Sequence, residues 1–159
     1  MLTTIKYIIT LKKGKVMNYI NNAIGTLQQI CLDCKEYEAE RCIKVKCNIG
    51  FALNAIKSIE KNGLTVVKDG LQLIPKDDTK YYDKLMVARC IAAICKTCKQ
   101  CMKGHNENCT VSLARRSIES IALKEIIDYP GDILTYIIKV AEQDQDFAKL
   151  IKQEIKLLG

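Results

Sequence analysis

Cysteine is the residue type in this chain of 159 residues that is best suited to chemistry, and there are nine of them. Six fall into two groups with the same spacing, C-x2-C-x7-C. Two thiolates three residues apart can both reach one metal ion or two neighbouring irons. The sequence therefore predicts a metal site at each group, the first at Cys31, Cys34 and Cys42 and the second at Cys98, Cys101 and Cys109.

Two further cysteines complete each group to four ligands. Cys47 follows the first group and Cys95 precedes the second. The ninth cysteine, Cys90, lies in the apolar run VARCIAAIC, which predicts a small buried thiol. The predicted ligand sets are thus Cys31, Cys34, Cys42 and Cys47, called the first set, and Cys95, Cys98, Cys101 and Cys109, called the second set.

The spacing within both sets favours iron–sulfur clusters over zinc. Cys95, Cys98 and Cys101 form C-x2-C-x2-C, an element familiar from four-iron ferredoxin loops, although the ferredoxin continuation C-x3-C-P is missing. The first set, C-x2-C-x7-C-x4-C, is similar to the N-terminal four-iron motif of hybrid-cluster proteins, which are related to carbon monoxide dehydrogenases. That resemblance implies a cluster held among helices, and we expect two [4Fe–4S] clusters as cofactors.

Two Zn²⁺ ions are the alternative cofactors. Cys98, Cys101, His105 and Cys109 read C-x2-C-x3-H-x3-C, which resembles a zinc knuckle that binds single-stranded nucleic acid. Each gap beside the histidine is one residue shorter than in a knuckle, and no aromatic residue for base stacking lies between Cys98 and Cys109. His105 is therefore an additional candidate ligand, and Glu38 occupies its place in the first group.

The two groups lie within a predicted internal repeat. Flanking residues also match at a separation of 67 positions, for example Ile24 with Ile91 and Lys57 with Lys124. Apolar residues at helical spacing predict a helix on each side of both metal loops. LTVV and LQLI, joined by the turn KDG, predict a β-hairpin between the units.

The predicted fold is mainly α, with a duplicated helix–metal-loop–helix unit, the hairpin and a C-terminal helix. Residues 1–16 are predicted as an N-terminal extension and 17–159 as a single cysteine-rich helical domain. Within that domain we place repeat 1 at 17–62, the hairpin at 63–76, repeat 2 at 79–128 and the C-terminal helix at 132–158.

Composition and missing motifs limit the function classes. The chain has no Walker loop, G-x-G-x-x-G, H-E-x-x-H or G-x-S-x-G, so a self-contained enzyme is not expected. No apolar run reaches the roughly 20 residues of a membrane span, and the N-terminus does not read as a signal peptide, so we expect a cytoplasmic protein without a membrane partner. Clustered cysteines in that compartment indicate metal binding rather than disulfides.

The expected function is that of an iron–sulfur protein. It would transfer electrons between closely placed clusters, or act as a small subunit or accessory factor of a larger anaerobic metalloenzyme, with a redox or metalloenzyme protein as its partner. The alternative is a nucleic-acid-binding regulator, either stabilised by zinc or sensing redox state through iron–sulfur clusters, with residues 17–75 arranged as a winged helix. The net charge of +7 favours nucleic acid only weakly. Four thiolates around a cluster or Zn²⁺ would give each site a charge of about −2, so two such sites would lower the net charge to about +3.

The helix after Cys109 begins with two neighbouring basic residues, Arg115 and Arg116. We expect both to lie on a solvated helix face. The alternative is that they neutralise an anionic cluster or contact a partner.

Overall fold

The computed structural model describes residues 2–99 and 106–159, with side chains described for 14–98 and 106–159. This part of the chain is mainly helical, as predicted. Two 3₁₀ turns, Lys44–Lys46 and Gly70–Leu73, lie in the connections. The α-helices are α1 (Leu2–Leu32), α2 (Asn48–Asn62), α3 (Lys84–Lys99), α4 (Thr110–Ala122), α5 (Ile133–Gln143) and α6 (Gln145–Leu157). None of these described helices combines the length and apolar character needed to cross a bilayer.

The first four helices share one core. α1 packs against α3 and α2 against α4, with further contacts between α1 and α2 and between α3 and α4. α6 covers α3 and also packs against α5. The core is built from aliphatic residues, and Leu27, Ile56, Ile91 and Ile118 are almost fully buried, one on each of the first four helices. The first helices of the two predicted units therefore pack against each other, and so do the second helices.

The last two helices begin at acidic caps. The sequence predicts Asp132 as an N-cap, and its carboxylate accepts the backbone N–H of Thr135 at 2.8 Å at the start of α5. Asp144 accepts the N–H of Phe147 at 2.9 Å in the same way. Because Asp144 takes an extended backbone conformation as a cap, the predicted helix 132–158 is divided into α5 and α6.

The sequence predicts a helix from Tyr81 that is capped by Asp78 or Thr79, but helix α3 begins at Lys84 and has a different cap. The carboxylate of Asp83 accepts the N–H of Met86 at 3.0 Å, so neither Asp78 nor Thr79 caps this helix. Helix α1 begins at Leu2 and not near Met17, so it runs through the segment that was predicted as an extension. The domain boundary at residue 17 stays a prediction.

The predicted β-hairpin at 63–76 is wrong. Val66 forms an isolated antiparallel bridge with Cys109, and the segment that should have been the second strand is the 3₁₀ turn Gly70–Leu73. The strand-forming segment LTVV thus pairs with a distant part of the chain, and this pairing fixes the start of α4. A Cβ atom on Gly70 would lie 2.6 Å from a methyl carbon of Leu113, so the turn packs closely against α4. The wing of the winged-helix interpretation is lost with the hairpin.

Candidate functional site

The four cysteines of the first set surround one cavity. Cys31 lies in the last turn of α1, Cys34 and Cys42 lie in the following loop, and Cys47 precedes α2. All four thiols line a cavity of about 110 Å³. A water molecule needs only roughly 10–15 Å³ of such space, so the cavity has room for a group of several atoms. No disulfide joins any of these four residues.

A backbone donor is directed at the sulfur of Cys47. This residue is the N-cap of α2, and its Sγ accepts the backbone N–H of Gly50 at 3.4 Å. The oxygen of Tyr82 lies 3.3 Å from the same sulfur, while the hydroxyl proton of Tyr82 is donated to Asp78. The N-terminus of a helix also favours negative charge through its dipole. The surroundings of Cys47 are therefore suited to a thiolate that is bound to a metal.

Gly50 allows the loop of the first set to close. A Cβ atom at this position would lie 2.7 Å from the carbonyl oxygen of Lys44 and 2.8 Å from its Cα. Both are backbone atoms, so a larger residue would displace the 3₁₀ turn Lys44–Lys46 from α2. That turn connects Cys42 to Cys47 and fixes the distance between these two ligands.

A buried carboxylate, that of Asp78, supports the first set by holding Tyr82 beside Cys47. The side chain of Asp78 is fully buried and accepts hydrogen bonds from the Tyr82 hydroxyl at 2.7 Å, the Asn48 N–H at 2.9 Å and the Lys80 ammonium at 2.9 Å. Burial raises the pKa of Asp78, but the hydrogen bonds from Lys80, Tyr82 and Asn48 outweigh it and the net shift is downward. Asp78 therefore stays charged and holds Tyr82 beside Cys47.

The thiols of the first set are close enough to influence each other electrostatically. Burial raises the pKa of Cys31, and negative charge on Cys47, Cys42 and Cys34 raises it further, while Lys44 lowers it. Ionising all four thiols together is therefore unfavourable without a cation. A bound metal or cluster would supply that positive charge.

The second set is brought together only in part. Cys95 is fully buried within α3, Cys98 lies at the end of α3, and Cys109 is the N-cap of α4. Cys98 and Cys109 line a second cavity of about 640 Å³, which Cys95 does not reach. Cys101 and His105 lie outside the described residues, so their predicted roles as ligand and candidate ligand remain predictions.

Two of the cysteines occupy the same place at the start of a helix. Cys47 precedes α2 and Cys109 precedes α4, whereas the spacing of the sequence matches Cys109 with Cys42. Aligned at their caps, CNIGFALNAIKSI and CTVSLARRSIESI share cysteine, alanine, isoleucine, serine and isoleucine at equal positions. Cys47 follows Cys34 by 13 positions and Cys109 follows Cys101 by 8, so the offset of 67 differs from this alignment by five positions.

A buried ion pair lies on α4, the helix that follows Cys109, where the sequence predicted a solvated helix face. Arg115 is fully buried and pairs with Glu119, which also accepts a hydrogen bond from Tyr136 at 2.7 Å. Arg116 is 7% exposed and pairs with Asp128 at 2.7 Å. The prediction is wrong for both arginines, because α4 turns this face into the protein rather than toward solvent. Sequence reasoning also missed Glu119, although its i,i+4 spacing from Arg115 was a visible signal.

The two sites lie at opposite ends of α3. The cavity of the first set is lined by Lys80 and Tyr82, just before this helix begins, whereas Cys98 is at its end. From Lys84 to Cys98 a helix rises roughly 20 Å at about 1.5 Å per residue. The close placement of the two clusters stays a prediction. Cys90 lies between the two sites, and its complete burial confirms the predicted buried thiol. Burial also raises the pKa of Cys90.

Within the part of the chain that the structure describes, no three His, Cys, Asp or Glu side chains form a group that could hold a metal ion. A single Zn²⁺ requires its ligand atoms within about 2.0–2.3 Å of one point. The thiols of the first set therefore line one cavity without forming such a group.

No protein-family model, curated protein or solved structure matches this chain. Its function is therefore argued from its own residues.

Proposed function

We propose that this protein binds two iron–sulfur clusters at separate cysteine sites and exchanges electrons with a protein partner. It would act as a redox carrier or as a small subunit or accessory factor of a larger metalloenzyme in the cytoplasm. The observation that carries this proposal is that four cysteines from the α1–α2 connection line one cavity. When bound, a cluster supplies reversible one-electron chemistry, and the chain holds it, shields it and sets its charge environment.

The arrangement of the first set supports a cluster more than a single ion. One ion draws its ligands to within bonding distance of a point, whereas a cluster is held by thiolates around a larger core. The four thiols line about 110 Å³ of space. No three of the described side chains are grouped to hold a metal ion, so the loop would have to rearrange to bind either occupant, and by more for zinc.

Polar groups around the first cavity support an anionic occupant. The Gly50 N–H donates to the Cys47 sulfur. Arg41, Lys46 and Lys80 line the cavity with one carboxylate, Glu36, and Lys80 also pairs with Asp78. Such outer groups orient ligands and adjust the reduction potential of a cluster.

Exposed apolar side chains at the first site support a protein partner. A group of exposed apolar side chains often marks a surface where another protein binds. Four such side chains lie at the end of α1 and on the loop that carries the first set, Leu32, Tyr37, Ile43 and Val45, with exposed fractions from 39% to 65%. By contrast, Asn48 on α2, the second helix of the winged-helix alternative, is 2% exposed and therefore inaccessible to nucleic acid.

We also propose that the two units arose by duplication. α1 packs against α3 and α2 against α4, so each contact joins helices of equal position. A cysteine caps the second helix of each unit. Both features support a common ancestral unit whose loops later changed in length.

The decisive experiment is anaerobic purification followed by an absorption spectrum and analysis of iron, sulfide and zinc. We expect a brown protein containing iron and sulfide. The double variant Cys31→Ala/Cys34→Ala should lose about half of the iron, and Cys98→Ala/Cys109→Ala should lose the other half. Cys90→Ala is the matched control, because this thiol lies outside both sets, and it should retain all the iron.

The same measurements separate the alternatives. A colourless protein with stoichiometric zinc would contradict the proposal and favour the zinc-stabilised regulator. If Cys98→Ala/Cys109→Ala left the iron content unchanged, a cluster at the second set would be ruled out and only the first would remain.

A further inference from the structure

The cavity beside Cys98 and Cys109 has the size of a small-molecule site. Its volume is about 640 Å³, against about 110 Å³ for the cavity of the first set. Small-molecule sites in proteins typically measure roughly 300–1,000 Å³ and are lined mostly by apolar side chains. Aliphatic residues supply much of the lining here, namely Leu64, Val111, Ile133, Leu134, Ile137 and Ile155. The cavity is therefore suited to a molecule with an apolar body.

The lining reaches from the protein core to the surface. Val111 and Ser112, in the first turn of α4, are 2% and 1% exposed. Leu134 on α5 lines the same cavity and is 68% exposed. A bound molecule could therefore enter beside α5 and reach the buried start of α4.

Ser112 brings an unpaired polar group to the inner end of this cavity. Its hydroxyl is buried and has no hydrogen-bond partner within the described residues. The buried hydroxyl of Thr97, which also lines the cavity, donates to the carbonyl oxygen of Ala93 at 3.0 Å. Because buried polar groups are nearly always hydrogen-bonded, we expect a bound molecule to provide the partner of Ser112.

The charges around the inner end favour an anionic head group. Lys96 lines the cavity, and α4 begins at it. The N-terminus of a helix attracts anions through its N–H groups and its dipole, and the side chain of Cys109 makes no cap hydrogen bond there. Asp132 is the one carboxylate among the described residues of the lining. It is exposed and already caps α5 by accepting the N–H of Thr135.

We propose that this cavity binds an aliphatic carboxylate. The head group accepts a hydrogen bond from the Ser112 hydroxyl and pairs with Lys96, while the aliphatic chain follows the apolar lining toward Leu134. This inference goes beyond the proposed function, because it requires neither cluster. It assigns to the second half of the chain a ligand that the first half, with its smaller cavity, does not accommodate.

The test is isothermal titration calorimetry of the full-length protein, purified anaerobically, with octanoate, 1-octanol and acetate. We expect octanoate to bind at one site, 1-octanol to bind at least about tenfold more weakly for want of the charge, and acetate to give no measurable binding. Lys96→Gln and Ser112→Ala should each weaken octanoate binding by about tenfold. Lys149→Gln is the matched control, because Lys149 is exposed on α6 and pairs with Asp146, and it should bind like the parent.

Urea unfolding of the ligand-free protein gives a second readout for Ser112. Since its hydroxyl has no partner to lose, Ser112→Ala should leave the midpoint of unfolding unchanged or raise it. A lower midpoint would show that the hydroxyl is paired within the protein and would overturn the inference.

Three binding results would also overturn it: no octanoate binding by the parent, unchanged binding in both Lys96→Gln and Ser112→Ala, or binding of 1-octanol as tightly as octanoate. The iron content of the same samples is measured separately. Loss of iron without loss of octanoate binding would contradict the proposed function alone, and the reverse would contradict this inference alone.

Discussion

Each of the two cysteine sites lies between the end of one helix and the start of the next, but the sites differ in how deeply their cysteines are buried. Each has cysteines at the C-terminal end of one helix and a cysteine that caps the next, Cys47 at α2 and Cys109 at α4. The first set takes its fourth cysteine, Cys42, from a long exposed loop, whereas the second takes Cys95 from the helical core. The comparison shows that helix ends fix where the cysteines lie. Loop length and burial then decide which of these cysteines solvent can reach.

Thiol reactivity should separate the two sites most strongly. In metal-free protein under native conditions, we expect iodoacetamide to modify Cys31, Cys34, Cys42 and Cys47 at least roughly a hundredfold faster than Cys95. Cys95 is fully buried and its pKa is raised well above the usual value, first by burial and then by Cys98. Peptide mass spectrometry gives the rate at each residue.

Cys90, which is also fully buried, is the internal control for slow modification, and urea-unfolded protein is the control for intrinsic reactivity. If Cys95 reacted as quickly as Cys31 in the native protein, the difference in depth between the sites would be refuted.

The substitution Gly50→Ala should damage the first site alone. The new Cβ would meet backbone atoms of Lys44 at less than 3 Å, and such overpacking typically costs about 1–3 kcal/mol. We expect the variant to lose about half of the iron of the parent. Gly25→Ala is the matched control, because nothing lies within 4 Å of the added atom, and it should keep both clusters. Full iron content in Gly50→Ala would show that the loop tolerates displacement.

The residue after each capping cysteine offers a comparison at equal positions. The Asn48 amide donates to the Pro75 carbonyl and to the hydroxyls of Ser117 and Ser120 at 2.8–3.1 Å. Asn48→Ala should therefore lower the free energy of unfolding by about 2 kcal/mol. The buried hydroxyl of Thr110 has no partner in the described residues, so Thr110→Val should change stability by less than about 1 kcal/mol.

Urea unfolding of the metal-free variants measures both values. Equal losses for Asn48→Ala and Thr110→Val would contradict the difference in hydrogen bonding between the two helix starts.

Acid should destabilise the first site by protonating Asp78, and this is the smallest of the predicted effects. The pKa of this carboxyl is lowered in the folded state, so its stabilisation is present above its usual pKa of 3.8 and is lost as the pH falls through the lowered value. Between pH 5 and pH 3 the free energy of unfolding of the metal-free protein should fall more steeply than that of Asp78→Asn. Exposed Asp77 supplies the control variant Asp77→Asn, whose pH profile should follow the parent. Identical slopes for the parent and Asp78→Asn would refute this role.

Helix content and several local features could be predicted from the sequence. Isoleucine and leucine at helical spacing gave the first four helices, and the cap at Asp132 followed from the chemistry of its side chain. Cys90 was recognised as buried because only apolar residues surround it in sequence. Each of these features depends on neighbours within a few positions along the chain.

The features that were missed depend on distant contacts. LTVV has the composition of a strand, but Val66 pairs with Cys109, more than forty positions away, and local patterns do not contain that information. Arg115 was expected in solvent because its charge favours exposure, whereas Glu119 and Tyr136 make its burial tolerable. The equivalent places of Cys47 and Cys109 at helix starts were missed because the spacing of the other cysteines suggested a different alignment.

The uninterrupted helix α3 has a consequence for how the protein would meet other molecules. If both cysteine sets bind clusters, an electron donor at the N-terminal end of α3 and an acceptor at its C-terminal end would contact different surfaces. The chain would then be able to bind two proteins at the same time, whereas a carrier with a single binding surface must release the first protein before it binds the second.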